Sequence, residues 1–352
     1  MRHKHSFTLP AALLFGTLCS CSDDETELLP TGSQPAPIQV MVVFPPGELG
    51  DQGYSDNILR GVQQISTTDA TTGQPRADVE FCSLEDAAAT AQAIRTWESR
   101  RDNPFFANRS YERRLLVLTS PTILQYLQPD SLQADDDILL LDTPVSVLSQ
   151  PAYAPIADRL HVLNISAAAA THRYCDLLDN WSTALEEESY RKVSLLRWFG
   201  DMDYPDSVDV VLEERFGSYK PMAIDSLENE YAIDWRCLTA NAVGYFRASD
   251  MNTQFEENDE YACIVNLGPG NAGFDTYLLN HNANITTLML DSESSLSRNR
   301  YAITRQFGPA LREWVDTWIS QEEGASLPRI TWHGGWDGYC TTDIPDSDFF
   351  TE

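Results

Sequence analysis

Three glycine-containing loops, each placed directly after an apolar run, carry residue types able to recognise a small molecule. The first reads Gly47-Glu48-Leu49-Gly50-Asp51-Gln52-Gly53-Tyr54-Ser55-Asp56-Asn57. Its glycines permit a tight loop, its carboxylates accept protons from hydroxyl or amine groups, and Tyr54 offers a flat stacking face. As a bare pattern it can equally just turn the chain. The second loop is Phe199-Gly200-Asp201-Met202-Asp203-Tyr204-Pro205-Asp206, which also fits a helix-entry turn with Pro205 near the first helical position. The third, Gly268-Pro269-Gly270-Asn271-Ala272-Gly273, either brings backbone amides close to a ligand or packs helix on sheet.

Other chemistries find little support. The first loop lacks the Gly-Lys-Ser/Thr of a phosphate-binding loop, and its acids repel phosphate. Asp201, Asp203 and Asp206 have the look of a calcium loop without its glycine and bidentate glutamate. No Cys-x-x-Cys or His-x-x-x-His occurs, and His161, His172, His281 and His333 lie far apart, so no metal and no cofactor is expected. There is no Gly-x-Ser-x-Gly and no Cys–His motif. Carboxylate pairs mean little in a chain with 53 acids, so an enzyme is not expected.

The elements that must hold these loops alternate between strand and helix. Ile38–Phe44 is a nearly continuous apolar, β-branched run, as suits a parallel strand buried on both faces. Further strands are predicted over Val79–Cys82, Leu115–Thr119, Ile138–Leu141, His161–Ile165, Val193–Trp198, Ala262–Leu267 and Ile285–Leu290. Ser55 or Asp56 could cap a helix carrying Ile58, Leu59, Val62 and Ile65. Other helices are predicted over Glu85–Glu98, Pro121–Leu127, Ala167–Trp181, Ser207–Phe216 and Arg305–Ser320, while residues 218–260 show no clear period. This alternation predicts an α/β protein with two doubly wound parallel-sheet lobes. The first lobe spans 38–165 plus about 295–325, the second 166–294 plus about 326–352. Ligands in such sheets gather at the carboxyl ends of the strands.

Taken together, the loops resemble one family, the basic membrane protein (purine nucleoside receptor) lipoproteins. Phe44-Pro45-Pro46-Gly47-Glu48-Leu49-Gly50-Asp51-Gln52-Gly53-Tyr54-Ser55-Asp56 is similar to its opening motif, whose following helix carries a glycine that Gly61 matches. Gly200-Asp201-Met202-Asp203-Tyr204-Pro205 resembles its GGMDIP segment, and Gly268–Gly273 takes the place of its glycine-rich turn. Leu288-Met289-Leu290-Asp291-Ser292-Glu293, Ala302–Phe307 and Gly334–Gly338 resemble its later elements in the same order, over about residues 38–342. The resemblance implies a type I periplasmic-binding-protein fold closing over a purine nucleoside for an ABC importer. It implies that Tyr54 stacks on the base, Asp51 and Asp56 accept hydrogen bonds, Asp291 holds ribose hydroxyls, and Arg305 replaces a family lysine. Met202 and Gly268 join the ligand-binding set in the same way. Two positions depart from the family: the lysine-to-arginine change at 305, and Asn266-Leu267, which lacks the aromatic residue usual before the glycines.

The start of the chain reads as an address. Arg2, His3, Lys4 and His5 precede an apolar stretch, Phe7–Leu18, shorter than the ~20 residues that span a bilayer. Leu18-Cys19-Ser20-Cys21 resembles a bacterial lipobox, with cleavage after residue 20 and Cys21 receiving the lipid; an ordinary secretory signal is the other reading. Ser22-Asp23-Asp24-Glu25 is similar to a lipoprotein surface-export signal, and residues 21–37 form a flexible tether. Five cysteines then remain of seven, at spacings that specify no disulfide. The expected location is the outer membrane of a Gram-negative cell, held by lipid alone, with the acidic tract after Cys21 pointing to outward display.

With 24 basic and 53 acidic residues the chain carries −29, and loss of Arg2 and Lys4 with the signal makes it −31. Such a surface disfavours nucleic acid and anionic membranes, and 42% hydrophobic residues exclude a disordered acidic tail. The partners expected are a nucleoside-like small molecule and an ABC permease. The alternative is a surface interaction lipoprotein that keeps the scaffold without transport.

Overall fold

The computed structural model describes residues 36–47, 49–50, 53–99, 111–173, 176, 193–199, 231–237, 263–266, 286–291, 300–321, 327–334 and 338–343. Strand β1, Ile38–Phe44, is buried along its whole length, as its apolar run predicts. It lies between β2 (Ala77–Ser83) and β3 (Arg113–Leu118), both parallel to it. Beyond them come β4 (Asp136–Leu141) and β5 (Leu160–Ile165). A second sheet uses β6 (Val193–Phe199), β7 (Tyr231–Cys237), β8 (Cys263–Asn266), β9 (Thr286–Leu290) and β10 (Arg300–Arg305). Two late strands complete the pair, β11 (Ile330–His333) beside β5 and β12 (Cys340–Thr342) antiparallel to β10.

The strand orders are β11-β5-β4-β3-β1-β2 and β12-β10-β9-β8-β6-β7. Each sheet therefore repeats one pattern, fifth-fourth-third-first-second, the doubly wound order in which the chain reverses direction beside its first strand. The α/β architecture of two doubly wound sheets is as the alternation predicts. Both sheets belong to one unit, Pro35–Glu352.

Helices α1 (Tyr54–Gln63) and α3 (Phe307–Ser320) cover one face of the first sheet; α2 (Ala87–Ser99) covers the other. On β1 the alternation divides cleanly. Val40, Val42 and Phe44 meet Ile58, Val62, Leu311 and Val315, while Met41 and Val43 meet Ile94 and Trp97. The contact of α1 with α3 is set by two glycines. A Cβ at Gly61 would sit 2.1 Å from the Gly308 carbonyl oxygen, and one at Gly308 would sit 2.1 Å from that of Asn57.

Several local expectations change. Helix α1 begins at Tyr54, two or three residues earlier than a Ser55 or Asp56 cap implies, with Gly53 at its N-cap position. Pro121–Tyr126 is a 3-10 turn in which the Ser120 hydroxyl accepts from the Thr122 N–H. The late helix starts at Phe307, because Arg300–Arg305 is strand β10 of the second sheet, where the sequence placed a return to the first lobe. Conversely β11, expected with the second lobe, pairs with β5 of the first. The chain thus crosses between sheets after Ile165, after Arg305 and after His333. Strand β7 falls in the stretch that showed no period. The Ser207–Phe216 helix lies outside the described residues, and of Ala167–Trp181 helix is described over residues 168–173 and at 176. No described helix is long and apolar enough to cross a membrane.

Candidate functional site

The repeated strand order places β4 and β9 at equivalent positions, and an aspartate directly follows each. Leu139-Leu140-Leu141-Asp142 and Leu288-Met289-Leu290-Asp291 are the two ends. Each aspartate takes the left-handed backbone conformation, with φ of 46° at Asp142 and 54° at Asp291. Among non-glycine residues, Asp and Asn are enriched in that region. The neighbouring strand holds each one: the Asp142 N–H donates to the Leu163 carbonyl at 3.2 Å, and that of Asp291 to Ile303 at 2.7 Å. The Asn164 amide fixes the turn after Asp142 by accepting from the Thr143 N–H (3.0 Å) and donating to its carbonyl (2.8 Å).

Arg305, the last residue of β10, joins the two. Its Nη1 and Nη2 donate to the two oxygens of Asp142, at 2.8 and 3.0 Å. Its Nε and Nη2 donate to Asp291, at 3.0 and 2.6 Å, and its backbone N–H donates to Asp291 Oδ1 at 2.9 Å. The planar fork of a guanidinium suits this two-sided pairing, which a single ammonium could not reproduce. All three groups are largely withdrawn from water, with side-chain exposures of 4% for Arg305, 8% for Asp291 and 13% for Asp142.

An aromatic pair continues from this set. The Arg305 guanidinium lies 5.1 Å from the centre of the Phe307 ring, and Phe307 meets Tyr54 edge-on, with centroids also 5.1 Å apart. The Tyr54 hydroxyl donates to the Thr119 carbonyl, at the end of β3, at 2.7 Å. Asn57, one turn into α1, accepts from the Gly308 N–H (2.7 Å) and donates to Gln306 (3.0 Å), so it caps α3 from another helix. The crossovers are themselves cross-linked: the Ser166 N–H donates to His333 and the Gln306 N–H to Tyr339.

Of the residues picked from sequence, Asp291 and Arg305 are in direct contact and Tyr54 reaches them through Phe307. Asp56 accepts from the Gly50 N–H at 2.8 Å, closing the loop in which Gly47 and Gly50 take positive φ. Asp51, Met202, Gly268 and the lipidation candidate Cys21 lie outside the described residues. Asp142, Phe307, Asn57 and Gln306 were not foreseen. For Asp142 the signal was present, since its Leu-Leu-Leu-Asp matches the Leu-Met-Leu-Asp that drew attention to Asp291. Among the described residues, no group of three His, Cys, Asp or Glu side chains is arranged to hold a metal ion.

The architecture is shared with solved structures at low identity. A solute-binding protein of an ABC transporter system from Aeropyrum pernix K1 matches with a TM-score of 0.58 at 12% identity, over 87% of this chain and 76% of that one. An ABC transporter solute-binding protein from Agrobacterium vitis, bound to α-D-tagatopyranose, matches at 0.54 and 12%, over 90% and 96%. The fold is that of type I periplasmic binding proteins. A LacI-type transcriptional regulator from Bacteroides fragilis matches almost as well, at 0.53 and 10% over 90% and 98%, so the type I fold serves more than one purpose. No family model matches the sequence, and neither does any curated protein.

Proposed function

We propose that this chain is a lipid-anchored solute-binding protein that captures a small neutral, hydroxyl-rich molecule, a nucleoside by its loop resemblance, for an ABC importer. The observation that carries this reading is the meeting of two equivalent strand-end carboxylates, Asp142 and Asp291, on Arg305. Strand carboxyl ends are where open α/β sheets bind ligands. Carboxylates there accept hydroxyl and ring N–H protons and disfavour phosphate. A charge-assisted hydrogen bond contributes about 1.5–3 kcal/mol, and a base stacked on an aromatic face about 1–3 kcal/mol. The sugar bound by the Agrobacterium vitis protein is of the same neutral, hydroxyl-rich class. Lipidation at Cys21, the tether after it and placement in the outer membrane belong to this proposal.

Titration calorimetry of the mature chain in detergent against adenosine, guanosine, inosine, uridine and D-tagatose tests it. Heat with a nucleoside supports the full reading, and heat with tagatose alone moves the ligand to sugars. No heat with any of the five sinks it.

A second reading has its own support. Tyr54, Phe307, Arg305 and Asp291 are packed one against the next, and the Tyr54 hydroxyl is taken by Thr119. A surface interaction lipoprotein that keeps the scaffold without transport would look like this. Native mass spectrometry showing no retained or added small molecule would favour it.

A further inference from the structure

Arg305 belongs to the second sheet and Asp142 to the first, so their ion pair ties one lobe to the other. Asp291, the second-sheet counterpart of Asp142, shares the same guanidinium. Both carboxylates sit on left-handed residues that directly follow their strands, β4 and β9. We infer that Asp142, Arg305 and Asp291 form an interlobe clasp, with Arg305 as a positioning residue that couples the end of β4 in one lobe to the end of β9 in the other. Arg305 lies at the second crossover, next to Gln306, whose N–H is bonded to Tyr339 of the third, so the coupling acts where the chain passes between lobes. A ligand that engages either carboxylate therefore acts on both lobes at once. The coupling itself stands apart from which ligand, if any, the protein binds.

Hydrogen exchange read by mass spectrometry on the full chain in detergent, without ligand, tests the clasp. Asp142→Asn weakens the pairing from the first lobe. Faster exchange is expected in peptides covering residues 136–143 and equally in second-lobe peptides covering 286–305, with α2 unchanged. Arg305→Lys keeps the charge and loses the fork, so acceleration in the same two regions is expected. Acceleration confined to the first lobe in Asp142→Asn overturns the clasp, and so does a uniform rise that includes α2. An Arg305→Lys protein that exchanges like the wild type overturns it too. Arg305→Met should show the largest effect; if it fails to fold, the two milder variants decide.

Discussion

Arg114 and Asp136 make a buried ion pair in the first sheet, at the end away from Arg305. Arg114 Nε and Nη2 donate to the two Asp136 oxygens at 2.9 and 3.0 Å, Nη1 donates to the Trp97 carbonyl, and the guanidinium lies 4.1 Å from the centre of the Trp97 ring. With exposures of 1% and 0%, neither partner can turn to water if the other is lost. Asp136→Asn should therefore cost about 3–5 kcal/mol, the usual penalty for stranding a buried charge, and urea unfolding measures it. A cost below about 1 kcal/mol, the range of exposed pairs, would mean the guanidinium finds water. Cys82 makes a second residue-scale case. Burial, with the nearby Glu80 charge, raises its thiol from 9.0 to about 11. Because the folded protein holds this proton more tightly, the associated stability is complete below pH 9 and lost as pH rises through about 11. At pH 8 its thiolate is about a hundredfold scarcer than that of an unshifted thiol, since each pH unit is tenfold. Peptide mapping after iodoacetamide at pH 8 should find Cys82 largely unmodified in folded protein and modified after denaturation; equal labelling in both would contradict the burial.

At the scale of elements, α1 and α3 pack as close as backbone allows, because Gly61 and Gly308 face each other. The Asn57 side chain then supplies the cap that α3 lacks from its own Gln306. Gly61→Ala forces a methyl group to 2.1 Å from a carbonyl oxygen, so the helices must separate. Overpacking of this kind costs typically about 1–3 kcal/mol, even though alanine is the better helix former by about 1 kcal/mol. A net loss of stability in thermal unfolding is expected, and an unchanged or raised midpoint would show that the crossing can relax. The resemblance singled out Gly61 from a motif alone. Its physical reason lies 247 residues away along the chain.

For the whole molecule, charge and architecture act together. The chain carries 53 acids against 24 basic residues, and two of those acids meet at the strand ends around a single arginine. That group is one negative charge in excess. If a nucleoside binds, its 5′-monophosphate should bind at least tenfold more weakly, because like charges about 4 Å apart near a protein surface repel by ~1–4 kcal/mol. Calorimetry with inosine and its monophosphate at low and high salt checks this. The gap should narrow as salt screens the more exposed part of the repulsion, and a monophosphate that binds more tightly would refute the charge argument.

Periodicity and apolar runs were enough to locate β1 to β5 and the helices packed on them, since a strand buried on both faces has to be apolar throughout and β1 is. They were enough for the α/β class as well. They did not find β7 and β10 to β12, which are short, polar or set beside a helix signal, and whose strand character comes from the partner they pair with. At the site, Asp291 and Arg305 stood out from their sequence neighbours. Asp142 did not, although the same four-residue pattern precedes it. Residue order determined two repeated strand series and the acid-rich loops that follow their strands. Only the tertiary structure decided that Asp142 and Asp291 share one guanidinium, because an ion pair across two lobes depends on how separate sheets meet and not on any local pattern of residues.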